Sequence, residues 1–288
     1  MMSRSRIALL TLLAMIAFAG NSLLCRAALK QSGIDAASFT SIRLVSGAMV
    51  LWWIVRLRQA PVGASGNWIS AFALFAYAAC FSFAYLQLSA ATGALLLFGA
   101  VQASMISYGL YKGERLRPLQ ILGLLCALLG LVGLLLPGLS APPLRSAGLM
   151  IAAGIAWGVY SLRGKGAGDA TTVTAGNFLR AVPFALLVSV LSLSSTTVDA
   201  AGIAYAIASG AVASGMGYAI WYTALRGLDA TTAATVQLSV PMLAALGGIL
   251  LLGEALTLRL AIAATAIIGG IALVVLQQTR VVTQRPQT

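Results

Sequence analysis

The sequence predicts an all-α polytopic membrane protein, with ten transmembrane helices arranged as two inverted-topology repeats of five. Three observations carry that prediction. Of the 288 residues, 60% are apolar and 8% charged, and the mean hydropathy is +0.97. A soluble domain carries about a quarter charged residues, so a water-soluble globule could not bury this much apolar surface. Second, the apolar residues come in continuous runs of the roughly 20 residues that a helix needs to cross the hydrocarbon core. The alternation of a membrane β-barrel is missing. Third, landmark residues recur in the two halves of the chain at nearly constant offsets.

The runs are taken in order. The first, 7–25, follows Arg4 and Arg6 as a secretory signal would. Asn21, Cys25 and Arg26 then arrive without a small-residue cleavage site, so it reads as a retained first helix. The second, 38–55, stops at Arg56, Arg58 and Pro61. The third and fourth, 67–87 and 91–111, precede the break Lys112–Pro118. The fifth, 117–136, ends at Pro137–Arg145, where Pro142 and Pro143 add two further helix breakers. This is the natural divider between a first repeat, 1–140, and a second, 141–288. The sixth, 147–162, ends at Arg163–Asp169. The seventh to tenth are 175–194, 200–223, 231–252 and 257–277, with a polar tail after Arg280.

Charge orients the set. With a cytoplasmic N-terminus, the inner segments hold Arg4, Arg6, Arg56, Arg58, Lys112, Arg115, Arg117, Arg163, Lys165, Arg226, Arg280 and Arg285, twelve cations. The outer segments hold four: Arg26, Lys30, Arg145 and Arg259. That asymmetry puts both termini in the cytoplasm of a multi-pass protein of a bacterial inner membrane. It also accounts for the formal net charge of +12 without nucleic acid.

Several chemistries are excluded. No histidine is present, so no imidazole base or ligand exists. Cys25, Cys80 and Cys126 are far apart, lack metal spacing and read as packing residues. Arg163-Gly-Lys-Gly-Ala-Gly-Asp169 lacks the GxxxxGK[ST] spacing and follows a membrane helix rather than a strand. It reads as a cytoplasmic turn. Neither a hydrolase nor an ATP-driven pump is supported, and no cofactor or metal is expected.

The two halves correspond. Gly113-Glu114-Arg115-Leu116 matches Gly253-Glu254-Ala255-Leu256 at an offset of 140, as Gly130 matches Gly270. Tyr85 pairs with Tyr222, Phe81 with Tyr218 and Arg43 with Arg180 at an offset of 137. Phe18 pairs with Trp157 and Ser22 with Ser161 at 139. Five spans per half is an odd number, so the second copy must enter from the opposite side, a plan common among secondary transporters. The second copy also carries Ser239-Val240-Pro241, Gly253-Glu254-Ala255-Leu256-Thr257 and Gly269-Gly270, although Val101 stands where the first copy would match Pro241. In these features the chain resembles the drug/metabolite transporter superfamily in its ten-helix EamA-type form. The aromatic residues of helices 3 and 8 are similar to those of bacterial aromatic amino-acid exporters. The resemblance implies a ten-helix exporter and leaves the substrate open among amino acids, purines and sugar conjugates.

A substrate site is expected near the midplane between the repeats. Tyr77, Phe81 and Tyr85 share one face of helix 3, and Ser214, Tyr218 and Tyr222 the corresponding face of helix 8. Packing in the core, or a place in the interfacial belt, is the competing reading for these rings. Trp157 and Tyr160 lie in helix 6 around Gly154-xxx-Gly158, a spacing that lets helices approach closely. Asn21, Gln102 and Gln237 are amides at lipid depth and must meet either other helices or substrate. These ten residues form the expected binding set: Tyr77, Phe81, Trp157, Tyr218, Asn21, Gln102, Gln237, Tyr160, Tyr85 and Tyr222. Arg43 and Arg180 are expected to snorkel to the interface. Glu114 and Glu254 are expected to sit at the N-termini of helices 5 and 10, where the dipole favours a carboxylate.

The resulting expectation is a secondary transporter that exports small metabolites, foremost amino acids including aromatic ones, by alternating access. A lipid or lipid-linked sugar flippase, or a nucleobase or drug exporter, of the same fold stays open as the alternative. The expected partners are a small-molecule substrate and the lipid bilayer, with no nucleic acid, and the expected state is a monomer. All six carboxylates fall outside the runs, so flux is expected to follow the substrate gradient without proton coupling.

Overall fold

A computed structural model describes residues 3–59, 65–113, 116–138, 141–164, 169–228, 233 and 236–282, with side chains to residue 275. It holds ten helices among the described residues: α1 (Arg4–Gln31), α2 (Ala36–Leu57), α3 (Trp68–Tyr85), α4 (Ala90–Tyr111), α5 (Pro118–Leu135), α6 (Leu144–Gly164), α7 (Ala170–Leu191), α8 (Ala200–Leu225), α9 (Ser239–Leu252) and α10 (Leu258–Val282). One 3-10 turn, Leu193–Ser195, precedes α8. Eight of the helices are long and apolar enough to cross a membrane, and α9 is a shorter apolar helix. The chain is therefore a multi-pass, membrane-embedded protein.

Helix starts follow capping chemistry more closely than apolar content. Asp35 accepts hydrogen bonds from the N–H groups of Ala37 and Ser38, so α2 begins before the apolar run does. Asp169 caps Thr172, and α7 begins at Ala170 rather than at 175, drawing in three threonines that the apolar count left outside. Asn67, Ser89 and Asp199 cap α3, α4 and α8 in the same way. Partial burial works against the charge on Asp35, but the hydrogen bonds from Ser38, Thr197 and Ala37 outweigh it and hold the carboxyl below its ordinary range. Such a cap stabilises above the ordinary carboxylate pKa and is lost as pH falls through the lowered one.

The ninth run is interrupted at Leu238. Residues 236–237 are helical, Leu238 is a turn and α9 proper begins at Ser239. Pro241 has no N–H to offer the carbonyl of Gln237, which breaks the ladder there. At the other end Gly253 closes α9 with φ +64°, and Gly113 follows α4 with φ +89°. Both sit in the left-handed region that glycine enters without a Cβ clash. Glu114, Arg115, the interior of the Arg163–Asp169 turn and the 140/141 divider all lie at or beyond the edge of the described residues.

The end of α1, the α3–α4 connection and the α9–α10 connection come together through Arg26, Tyr85, Ala90 and Glu254, and this side of the bundle is called the distal face. The packing partners come in reciprocal pairs. Helix α3 packs on α6 and α8 on α1; α4 packs on α6 and α9 on α1; α3 packs on α7 and α8 on α2. Helices α2 and α7, α4 and α9, and α5 and α10 pair with each other. Small residues permit the closest contacts. A Cβ on Gly154 would lie 2.6 Å from both the Ala100 Cβ and the Leu97 carbonyl oxygen, and one on Gly158 would strike the Ser104 hydroxyl. Gly154→Ala should therefore cost about 1–3 kcal/mol through overpacking. The melting temperature of the purified protein measures this, with Gly148→Ala as control because nothing lies within 4 Å of its added Cβ. Equal melting of the two variants would refute the α4–α6 contact.

Candidate functional site

Near the middle of the bundle, α1, α3, α4, α6, α8 and the segment before α9 enclose one cavity. Of the ten residues the sequence singled out, six line it: Asn21, Tyr77, Phe81, Trp157, Tyr218 and Gln237. Phe18, Ser22, Leu97, Phe98 and Ala213 complete the wall. The free space is about 30 Å³, room for about one or two waters. This conformation is therefore closed around the site, and an organic solute requires the walls to move apart.

The rings form a continuous cluster. Trp157 stands between Tyr77, with ring centroids 4.9 Å apart, and Tyr218, at 5.2 Å. Tyr77 also packs on Phe81 at 5.4 Å, and Tyr218 meets Phe18 edge-on at 5.7 Å. Trp157 is half-buried, whereas Tyr77, Phe81 and Tyr218 are buried. Tilted and edge-on geometries at these separations avoid the face-to-face arrangement that the ring quadrupoles disfavour.

A polar thread runs along one side of the cavity. Ser209 donates to Asn21 Oδ1 at 2.6 Å, and Asn21 Nδ2 donates to the Tyr77 hydroxyl at 3.2 Å. Arg43 Nη2 donates to that same hydroxyl at 3.1 Å. The expectation that Arg43 snorkels is wrong. Its side chain is 1% exposed, and its guanidinium lies over the rings of Tyr77 and Phe81 at 5.2 and 4.9 Å. The start of α2 at Ala36, earlier than the apolar run implied, sets Arg43 deeper. Arg180 remains half-buried and donates to the carbonyls of Ser65 and Gly176, each at 2.9 Å.

The other four residues lie elsewhere. Gln102 lines a separate crevice between α4, α5 and α10. Tyr85 is fully buried, with its ring against Gly93 and its hydroxyl donating to the Ala90 carbonyl at 3.3 Å. Tyr160 touches the Trp157 ring but turns its hydroxyl to Thr174 at 3.3 Å. Tyr222 packs on the core outside the cavity lining.

Of the expected Ser214, Tyr218, Tyr222 stripe, only Tyr218 lines the cavity. Residues Ala208–Met216 of α8 are π-helical, and wider turns bring residues five apart onto one face. Ala213 therefore joins Tyr218 in the wall. A Cβ on Gly210 would strike the Arg43 carbonyl oxygen and the Ser46 hydroxyl, so α8 and α2 meet backbone to backbone there.

The distal face is latched. Arg26 Nε pairs with Glu254 Oε1 at 3.1 Å, and the two side chains are 13% and 7% exposed. Glu254 Oε2 accepts from the Ala90 N–H at 2.8 Å, at the start of α4, and Arg26 Nη1 donates to the Tyr85 and Leu86 carbonyls at 2.9 and 3.2 Å. Glu254 was expected to favour the N-terminus of its own following helix. It reaches across to α4 instead, and Thr257 accepts from the Leu260 N–H at the start of α10.

Comparison with known proteins agrees with this architecture. Residues 144–276 match the EamA-like transporter family. The chain is 59% identical over 270 residues to an uncharacterized protein of Pseudomonas aeruginosa, covering 93% of this chain and 94% of that one. It is 34% identical over 149 residues to the threonine/homoserine exporter RhtA of Salmonella typhimurium, and to that of Escherichia coli to the same extent, across 49% of each chain. A solved crystal structure at 22% identity superposes with a TM-score of 0.70 over 97% of this chain and 99% of its own, which bears on the fold alone.

Proposed function

The chain belongs to the EamA-like transporter family, and we propose that it exports small metabolites, foremost amino acids including aromatic ones, as a facilitator working by alternating access. It is a transporter rather than an enzyme. The observation that supports the substrate class most is the meeting of six sequence-marked side chains around one enclosed cavity. Rings take the apolar or aromatic part of a solute and can face an ammonium group, while Asn21, Gln237 and the Tyr77 hydroxyl supply polar contacts. The partial likeness to a threonine/homoserine exporter favours amino acids over nucleobases and lipid-linked sugars. The reciprocal helix pairs support two repeats, 1–140 and 141–288, with the cavity between them. The charge asymmetry of the connections supports a bacterial inner membrane with both termini in the cytoplasm.

The test is counterflow in proteoliposomes with radiolabelled aromatic and aliphatic amino acids, a nucleobase and a lipid-linked sugar analogue. Uptake of amino acids is expected. Uptake of only the nucleobase or the sugar analogue would overturn the reading. A zwitterion carries no net charge, and no described carboxylate lines the cavity. An imposed pH gradient should therefore leave the final internal concentration equal to the external one. Accumulation above it that a protonophore abolishes would refute facilitation.

A further inference from the structure

We propose that Arg43 is the anion anchor of the central cavity and receives the carboxylate of the substrate, a role that rests on the amino-acid reading above. Arg43 is a cation at membrane depth with 1% exposure. Its Nε and Nη1 have no hydrogen-bond partner, and its one hydrogen bond to protein runs from Nη2 to the Tyr77 hydroxyl. Among the described residues no carboxylate pairs with it. Glu254 is held by Arg26 and Asp169 by Arg226, while Asp35 and Asp199 cap helices.

A buried charge without a counter-ion is costly, and an ionisable group inside a membrane bundle marks a functional site by default. The faces of Tyr77 and Phe81 offset part of that cost. They do not satisfy N–H groups in the guanidinium plane, and two of its three nitrogens are left without an acceptor. A carboxylate fits that vacancy, because its two oxygens match the guanidinium fork.

The surroundings complete the fit. Tyr77 and Phe81, the rings that cover Arg43, are themselves cavity walls. The Tyr77 oxygen accepts from both Asn21 and Arg43, which leaves its own hydrogen free to donate into the cavity. Arg43 itself does not line the closed cavity; in the proposed substrate-bound state Tyr77 and Phe81 part from it and the guanidinium faces the solute. A substrate carboxylate then lies against Arg43 and Tyr77, with its side chain among Trp157, Phe18 and Tyr218.

The test is a thermal-shift titration of the purified protein and of Arg43→Gln and Arg43→Lys. The probes are phenylalanine, phenylalaninamide, phenylacetate and chloride. Phenylalanine and phenylacetate should stabilise wild type at concentrations at least about tenfold below phenylalaninamide, as a charge-assisted bidentate contact requires. Arg43→Gln should erase that difference. Arg43→Lys keeps the charge but loses the fork, so it should weaken the two carboxylates and leave the amide unchanged, which decides the matter if the Gln variant does not fold. An unchanged carboxylate-to-amide ratio in the variants, or stabilisation by chloride alone, would overturn the proposal. Arg43-dependent binding of phenylacetate without any binding of phenylalanine would keep the anchor and sink the amino-acid reading. Equal binding of phenylalanine and its amide by wild type would keep that reading and sink the anchor. No stabilisation by any probe would refute both.

Discussion

Trp157→Ala should lower transport at subsaturating substrate by about tenfold or more while the protein still reaches the membrane. Trp157 is the ring on which the others converge, in contact with Tyr77, Tyr160 and Tyr218. An aromatic pair contributes about 0.5–1.5 kcal/mol beyond its buried area, and about 1.4 kcal/mol is a factor of ten in affinity. A substrate that takes Trp157 as a stacking partner thus loses about that much when the indole is removed. The side chain is half-buried beside free space, so its loss harms folding less than loss of a packed core ring. Trp157→Phe keeps a π face and should retain most of the flux. Uptake normalised to protein in the membrane measures both variants. An alanine variant that transports like wild type would make the aromatic cluster a packing feature alone.

Glu254→Gln should open the distal face. The Arg26–Glu254 pair exists only while the α9–α10 connection lies against α1 and α4. Removing the carboxylate leaves Arg26 with only the Tyr85 and Leu86 carbonyls as acceptors, at a cost of up to about 3–5 kcal/mol. Moving a two-state equilibrium from 1:99 to 99:1 takes about 5.5 kcal/mol, so the change is large enough to repopulate an open state. Cys25, buried beside Arg26 in sequence, reports the result. In a chain with Cys80 and Cys126 replaced by alanine, its alkylation should speed up about tenfold or more in Glu254→Gln. The charge swap Arg26→Glu with Glu254→Arg should restore slow labelling. Equal labelling in wild type and Glu254→Gln would reduce the pair to a static tie. The same variant informs energy coupling, because the Glu254 side chain is 7% exposed in this conformation.

Much was legible without coordinates, because the solvent imposes it. Backbone groups in lipid must be satisfied within a helix, so apolar runs of the right length became helices, and matching landmarks such as Gly113 and Gly253 became matching left-handed turns. Asn21 and Gln237 were marked by the cost of facing lipid, Tyr77 by a shared helix face and Trp157 by its place at mid-run, and all four line one cavity. Phe18 and Ser22 had surfaced only as repeat matches. Their spacing from Asn21, three residues before and one after, is the signal that could have placed them in the wall. Ser209 carried no comparable mark.

What the sequence by itself determined was the solvent, the helices and which side chains could not face it, since hydropathy and period depend only on local composition. The tertiary structure alone decided direction and partner. A π-helical stretch in α8 placed Ala213, rather than Ser214, beside Tyr218 in the wall. An aspartate cap lengthened α2 and drew Arg43 under two aromatic faces. A turn after Gly253 carried Glu254 away from its own helix to Arg26 and to the first amide of α4. Each outcome depends on a helix's phase and on the neighbour packed against it, and a single chain read residue by residue specifies neither.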